Sequence, residues 1–288
     1  MLKVAVTGAN GYIASLTREY NKNKFEFIPI TRKELSLDDP KQVKAYFENL
    51  DFDIVLHTAA NAATADCENN PEATHRVNVE ATMAIADVCK AKEKRLIFFG
   101  TEQSFNGKTS EGPFKEEDEL EAVTNYGKQK SEADLYIREN MKDFIILRLS
   151  WMMGMSQPGI KTSPNIIKNV MNAIFNENPT LFTVNEVRGM TYAKYLAKQF
   201  DKIVTLDSGV YHFSNVNTLN TYESAKLVAE KMNISKERIE KFILPNTERY
   251  ADRFRDYRLD NSKIKEAGIE LHTFEEDVEE CLKDYGWI

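Results

Sequence analysis

The sequence has little cysteine, no long apolar run and no excess of positive charge. Its three cysteines, Cys67, Cys89 and Cys281, lack the spacing of metal ligands, and we expect reduced thiols and no metal site. No apolar run reaches the ~20 residues needed to cross a bilayer, and Met1 leads directly into a strand pattern. We therefore expect no membrane span and no signal peptide. The net charge of −7 argues against nucleic acid as a partner.

The composition is that of a soluble globular protein. Hydrophobic residues make up 42% of the 288 residues and charged residues 29%, so a large core and a well-solvated surface are both available. That length suits one large domain, or one large and one small. We predict a cytoplasmic α/β protein.

The N-terminus contains a glycine motif between a strand pattern and a helix pattern. An apolar run over 3–7 ends at Gly8, and a helical pattern starts near Tyr12. Gly8, Gly11 and Ala14 form G-x-x-G-x-x-A, in which small residues let a diphosphate approach the first N–H groups of a helix. An ordinary glycine-containing turn is the alternative. The position at the N-terminus and the βαβ rhythm that follows favour a dinucleotide site.

Basic residues follow the second predicted strand, 25–30. In a dinucleotide fold this strand ends beside the adenosine ribose, where an acidic residue favours a 2′-OH and an arginine can pair with a 2′-phosphate. Arg32 therefore favours NADPH over NADH, although a solvated basic turn would also explain Lys33 beside it. Either Asp38 or Asp39 caps the next helix or faces the adenine.

The third strand pattern, 54–57, is followed by small residues over 58–63 that would let a flat ring lie against the backbone. A plain tight loop is the alternative. His57 lies in an apolar strand and is interpreted as structural. A continuous helix is predicted over 72–91, where Asn78 would need backbone partners.

A possible catalytic group follows the fourth strand, 95–99. Thr101 comes just after this strand, and Tyr126 and Lys130 are spaced i, i+4, so they share one helix face. A Y-x-x-x-K pair alone occurs often by chance; its order after a glycine turn and a strand-end threonine gives it weight. The intervening acidic segment, 109–121, is predicted to be an exposed, mobile loop.

After a fifth strand over 144–149, the βα rhythm weakens. We predict a Rossmann-type doubly wound parallel sheet over 1–155, with later segments returning to it, and a smaller α/β substrate lobe mainly over 156–288. Near the C-terminus lies a basic group that is either a solvated face or a phosphate clamp: Arg249, Arg253, Arg255 and Arg258.

These motifs together resemble the extended short-chain dehydrogenase/reductase superfamily. Within it, the chain is similar over almost its full length to the dTDP-4-dehydrorhamnose reductase (sugar-nucleotide-binding) family. The segments that carry the resemblance are TAANAATADCENNPEATHRVN (58–78), GTEQSFNG (100–107), TNYGKQKSEAD (124–134), RLSWMMG (148–154), GVYHFSN (209–215) and FRDYRLDNSKIKEAGI (254–269).

The resemblance implies a set of site residues. The cofactor residues would be Gly8, Gly11, Tyr12, Ile13, Arg32, Ala59, Ala60, Asn61, Tyr126 and Lys130, with the glycine turn on the pyrophosphate and Ala59–Ala60 beside the nicotinamide. The catalytic residues would be Thr101, Tyr126 and Lys130. The substrate residues would be Glu102, Gln103, Trp151, Arg188 and Arg255.

The residue types suit ketone reduction by hydride transfer. Tyr126 can give a proton to the developing alkoxide, and Thr101 can orient the carbonyl. Lys130, with its positive charge, is expected to favour the phenolate and to hold the nicotinamide ribose.

The chain departs from the family on the substrate side. Glu102-Gln103-Ser104 stands where the family often has Asp-Tyr-Val, and the stretch 186–191 lacks the family's proline.

The predicted function is an NADPH-preferring reductase of a nucleotide-linked 4-keto-6-deoxy sugar, in dTDP-rhamnose and cell-wall polysaccharide synthesis. The protein would act as a monomer or homodimer. The alternatives are another sugar-nucleotide epimerase or dehydratase of the superfamily, or a non-catalytic NADP-binding regulatory subunit.

Overall fold

A computed structural model describes residues 1–288, which form two compact units. The first unit comprises 1–108, 116–149 and 197–212, and the second comprises 109–115, 150–196 and 213–288. None of the helices is long and apolar enough to span a bilayer.

Twelve strands and thirteen α-helices are numbered here in chain order. The strands are β1 (Leu2–Thr7), β2 (Phe25–Ile30), β3 (Ile54–His57), β4 (Arg95–Thr101), β5 (Phe144–Leu149), β6 (Trp151–Met153), β7 (Thr180–Thr183), β8 (Glu186–Val187), β9 (Met190–Tyr192), β10 (Gly209–Phe213), β11 (Ile243–Asn246) and β12 (Arg255–Asp256). The helices are α1 (Tyr12–Asn21), α2 (Pro40–Asn49), α3 (Thr64–Asn69), α4 (Pro71–His75), α5 (Ala81–Ala91), α6 (Asn125–Asn140), α7 (Ile166–Phe175), α8 (Ala193–Lys198), α9 (Phe200–Ile203), α10 (Thr221–Lys231), α11 (Lys236–Phe242), α12 (Ser262–Glu266) and α13 (Phe274–Asp284).

A six-stranded parallel sheet forms the centre of the first unit, in the order β10-β5-β4-β3-β1-β2. Its inner strands are apolar on both faces, as expected for a parallel sheet covered by helices on each side. The strand order reverses between β1 and β3, so the carboxyl ends of these strands, Thr7 and His57, lie at the switch point where such sheets bind ligands. The predicted Rossmann-like α/β fold is confirmed.

The five strands predicted from the sequence lie where expected, and the long helix predicted over 72–91 is confirmed as an uninterrupted helical run that contains a π-helical turn. The chain forms α4, a π-helical turn over Arg76–Glu80, and then α5. The π turn contains Asn78, whose side chain bonds to the backbone of Asn61 as anticipated. A bulge of this kind re-aims one side chain, and such turns are frequent at functional sites.

Two loop predictions are settled by the structure. Asp39, not Asp38, caps α2, because its carboxylate accepts from the N–H groups of Lys41 and Gln42 at 3.0 and 3.2 Å. The segment 109–121 is not exposed throughout. Phe114 and Glu116 are buried, and Glu116 accepts a hydrogen bond from the N–H of His212.

The second unit has its own core, built around α7, α10 and α13. Small sheets border it: β11 pairs with β7, β12 with β8, and β6 with β9, each in parallel. The weakened βα rhythm of the sequence corresponds to this patchwork of short elements.

Candidate active site

The glycine turn between β1 and α1 fits a diphosphate. Gly8 has a φ of +64°, and a Cβ there would lie 3.0 Å from the backbone of Ala59, so a side chain is excluded. The N–H of Gly11 donates to the carbonyl of Gly8 at 2.7 Å, which closes the turn. No side chain caps α1, which begins at buried Tyr12 and half-buried Ile13. Its first N–H groups therefore remain available to an anion.

Arg32 lies just beyond β2, exposed to solvent, and makes no ion pair within the chain. The neighbouring Glu34 is instead engaged by the backbone and hydroxyl of Thr31, and these hydrogen bonds lower the pKa of its carboxyl. The Arg32 guanidinium is therefore available to a phosphate.

The segment after β3 is held by the π turn. Asn78 accepts from the N–H of Asn61 at 2.7 Å and donates to its carbonyl at 3.0 Å, as a strand partner would. The Asn78 amide also donates to buried Gln129 on α6, which in turn donates to Thr74 on α4. This network fixes the backbone next to half-buried Ala59 and Ala60.

Tyr126 and Thr101 meet because α6 approaches the turn after β4 closely. A Cβ on Gly127 would lie 2.5 Å from the carbonyl oxygen of Gln103, so this approach requires glycine. Burial and the Glu102 carboxylate raise the pKa of the Tyr126 phenol, and the nearby Thr101 side chain lowers it by less. The phenol is thus held protonated.

Lys130 is buried one turn along α6, with 3% of its surface exposed. Its Nζ lies 3.7 Å from the centroid of the Phe98 ring. Burial lowers the pKa of the ammonium to about 7, with Asp134 acting in the opposite direction. Lys130 can therefore lose or keep its charge near neutral pH.

Glu102 and Gln103, predicted on the substrate side, form the 3₁₀ turn that follows β4. Glu102 is buried, whereas Gln103 is half-buried and donates to the Glu102 carboxylate at 3.1 Å. The side-chain amide oxygen of Gln103 also accepts from the Asn106 amide at 3.1 Å. A buried carboxylate therefore lies beside Tyr126.

In the second unit, Trp151 and Arg188 lie together. The Arg188 guanidinium lies over the rings of Trp151 and Tyr257, at 4.2 and 4.7 Å from their centroids. It is buried and paired with Glu186 through two hydrogen bonds of 3.0 and 2.7 Å. Trp151 is 38% exposed, so its ring is accessible to a ligand.

Arg255, in β12, lies opposite Glu186 in the register of β8. It is half-buried and paired with Asp252 at 2.8 Å. Arg258 is likewise paired, with Asp256 at 2.6 Å. The basic group predicted as a phosphate clamp or a solvated face thus carries its own carboxylate partners at two positions.

One group that could hold a metal was not recognised in the sequence. His272, Asp277 and Glu280 place their ligand atoms within 4.8 Å of one another. A hydrogen bond to Asp277 raises the pKa of His272, and the second oxygen of Asp277 is taken by the N–H of Tyr192 and the amide of Asn215. These contacts describe a structural ion pair as well as they describe a metal site.

The family model of the RmlD substrate binding domain matches residues 2–286. The chain belongs to this family. Among its relatives, the spore coat polysaccharide biosynthesis protein SpsK of Bacillus subtilis is 28% identical over 99% of this chain and 98% of its own length. A dTDP-4-dehydrorhamnose reductase of Aggregatibacter actinomycetemcomitans is 24% identical over 78% of this chain and 77% of its own. The crystal structure of dTDP-4-dehydrorhamnose reductase from Bacillus anthracis, in complex with NADP, superposes with a TM-score of 0.85 at 21% identity and covers 98% of each chain.

Membership of this family agrees with the resemblance read from the motifs. The first unit brings Thr101, Glu102 and Tyr126 together, and the second brings Trp151 to Arg188. Sequence reasoning missed Gln129 and Phe98. Gln129 lies inside the Y-x-x-x-K motif, three residues after Tyr126, and this spacing could have shown that it lies near the same helix face as Tyr126.

Proposed function

We propose that the protein is an NADPH-preferring oxidoreductase that reduces a nucleotide-linked 4-keto-6-deoxy sugar, most simply dTDP-4-dehydrorhamnose to dTDP-L-rhamnose. The observation that carries the proposal is that Thr101 and protonated Tyr126 lie together, with Lys130 one turn away, in a chain of the RmlD family. A cytoplasmic location and a role in surface polysaccharide synthesis belong to the same proposal.

The residues of the first unit fit a dinucleotide phosphate. Gly8 lets the turn pack closely against the backbone of Ala59, and the uncapped start of α1 offers N–H groups to a pyrophosphate. Exposed Arg32 supports a 2′-phosphate and hence NADPH, with NADH as the alternative. The NADP complex of the Bacillus anthracis relative also supports this choice.

Bound NADPH supplies the hydride. The chain must then orient the ketone and supply a proton. Thr101 and Tyr126 would both bond the ketone oxygen, and Tyr126 would transfer its proton to that oxygen as it gains charge. A charged Lys130 would hold the ribose and stabilise the phenolate that remains. Trp151 and Arg188 would contribute the sugar-nucleotide contacts of the second unit.

The direct test follows NADPH oxidation by its near-ultraviolet absorbance, with dTDP-4-dehydro-6-deoxy-L-mannose generated in situ by the upstream enzymes. Rapid substrate-dependent oxidation that yields dTDP-rhamnose supports the proposal. Tight NADPH binding with no oxidation would instead indicate another sugar nucleotide or a regulatory role. Gln103 and the 186–191 stretch would then be examined first, because they differ from the family pattern.

The role of Tyr126 is tested by Tyr126→Phe. Turnover should fall by roughly two or more orders of magnitude, because the proton donor is lost, while cofactor affinity stays nearly unchanged. Tyr136→Phe is a matched control on the same helix, since its hydroxyl bonds Asp87 away from the site. Turnover that barely changes in Tyr126→Phe would refute the mechanism.

A further inference from the structure

The Lys130 ammonium lies on an aromatic ring and not on a carboxylate. Its Nζ is 3.7 Å from the centroid of Phe98, and Phe98 itself is fully buried. Asp134, one turn further along α6, is engaged by Arg148 through both of its oxygens, at 2.8 and 3.1 Å. A ring face attracts a cation most strongly where water is excluded, as it is here.

His57 packs against the same ring. It is the register partner of Phe98 across β3 and β4, and the two rings stack with centroids 5.8 Å apart. Thr7 is the next register partner, in β1, and its hydroxyl bonds the Nδ1 of His57 at 2.7 Å. Three adjacent strands therefore place Thr7, His57 and Phe98 in one row.

The hydrogen bonds of His57 are satisfied by a neutral ring. Thr82 donates its own proton to the carbonyl of Asn78, so it must accept from His57 Nε2–H, at 2.9 Å. Thr7 accepts from the N–H of Ala59 and is free to donate to Nδ1 of His57. This assignment satisfies both hydroxyls with a single ring proton. It agrees with the pKa of His57, which burial and the nearby Lys130 lower to about 3.

We propose that Phe98 is a positioning residue for Lys130: its ring face holds the buried ammonium. His57, which stacks on the same ring, is neutral and therefore places no second positive charge beside it. The charged and titratable groups around Lys130 are His57 from β3, Asp134 and Tyr126 from its own helix, and Glu102, which acts on Tyr126 from the turn after β4. Asp134 also favours the charged form of Lys130, but its oxygens bond Arg148, so the ring of Phe98 is the group in direct contact with the ammonium.

The first measurement needs no ring variant. In protein labelled with [ε-13C]lysine, the Lys130 signal is identified as the one absent from Lys130→Met. Its ε-methylene protons should be shifted upfield by the Phe98 ring current, and the signal should titrate with a pKa depressed from the ordinary lysine value. A Lys130 signal at the position of a solvated lysine would overturn the proposal.

The second measurement compares Phe98→Leu with Phe99→Leu. Both remove one ring from β4, but neighbouring strand residues point to opposite faces, so the second variant leaves the ring under Lys130 in place. In Phe98→Leu the Lys130 pKa should fall by about one unit relative to wild type, the size of a desolvated cation–π contact. In Phe99→Leu it should stay within a few tenths of a unit. Equal shifts in both variants would refute a specific role for Phe98.

The consequence for catalysis rests on the proposed function. If charged Lys130 is required, the loss of kcat/KM as the pH rises should begin about one unit lower in Phe98→Leu than in Phe99→Leu. The nuclear magnetic resonance results do not depend on turnover. They therefore test the Phe98 proposal even if the reductase assay shows no activity. Normal turnover with an unshifted Lys130 signal would refute the positioning role of Phe98 and leave the proposed reductase function supported.

Discussion

Two buried cations in the first unit, Arg148 and Lys130, have different kinds of partner. Arg148 is fully buried and saturated: it binds Asp134 through two nitrogens, donates to the carbonyl of Glu116 at 3.1 Å, and lies over the ring of Phe105. Lys130 is nearly as buried but lies on the Phe98 ring.

This difference in partners distinguishes a charged group that stabilises the fold from one that can still bind a ligand. A fully paired guanidinium cannot bind anything else without breaking its contacts. An ammonium on a ring keeps its N–H donors for a ligand, but its burial disfavours the charge. Groups with strongly shifted pKa values and few internal partners concentrate at functional sites. The burial of the two side chains does not distinguish them; their partners do.

The largest effect on the free energy of unfolding is expected at Arg148. Arg148→Met should lower the free energy of unfolding by about 3–5 kcal/mol, because it leaves Asp134 as a buried carboxylate without its main partner. Urea unfolding at neutral pH measures this. The double variant Asp134→Leu with Arg148→Met should recover most of the loss, since both charges are then removed. A double variant as unstable as Arg148→Met would show that the pair is not the cause.

Lys130→Met should change the free energy of unfolding in the opposite direction from Arg148→Met. Removing a buried ammonium whose pKa lies near 7, below the ordinary 10.5, should stabilise the fold by on the order of 2–4 kcal/mol below pH 7. Between pH 7 and 10.5 the unfolded chain binds the extra proton, so wild type gains stability and the advantage of the variant shrinks. Turnover should fall about a hundredfold or more in the same protein. Destabilisation at pH 6 would contradict the assignment.

Arg32 extends the comparison to an exposed cation that makes no ion pair in the chain. Arg32→Asp should shift the ratio of kcat/KM for NADPH over NADH toward NADH by about ten- to a hundredfold, the value of a charge-assisted contact to a 2′-phosphate. Lys33→Asp makes the same charge change one residue away and should shift the ratio much less. An unchanged ratio in Arg32→Asp would remove the basis for preferring NADPH.

The sequence predicts what depends on local pattern. Strand periodicity located the central strands, and the glycine spacing located the turn at Gly8, because both depend on neighbouring residues. The π-helical turn at Asn78 and the burial of Glu116 were missed, since each depends on a partner far along the chain, Asn61 and His212. The position of Lys130 over Phe98 likewise depends on how α6 packs on the sheet. Spacing alone cannot show this.

The smallest effect is expected at Arg138, which lies one turn beyond Asp134 at 3.6 Å and is 38% exposed. Arg138→Met should change the free energy of unfolding by less than about 0.5 kcal/mol in wild type, because Asp134 is already satisfied and the pair is screened by water. In the Arg148→Met background Arg138 is the remaining cation beside Asp134, so the same substitution should cost more. Equal costs in the two backgrounds, measured by a double-mutant cycle, would show that Asp134 does not need Arg148 for its charge. The contrast between Arg148, which is paired within the protein, and Lys130, whose N–H groups can bind a ligand, would then no longer hold.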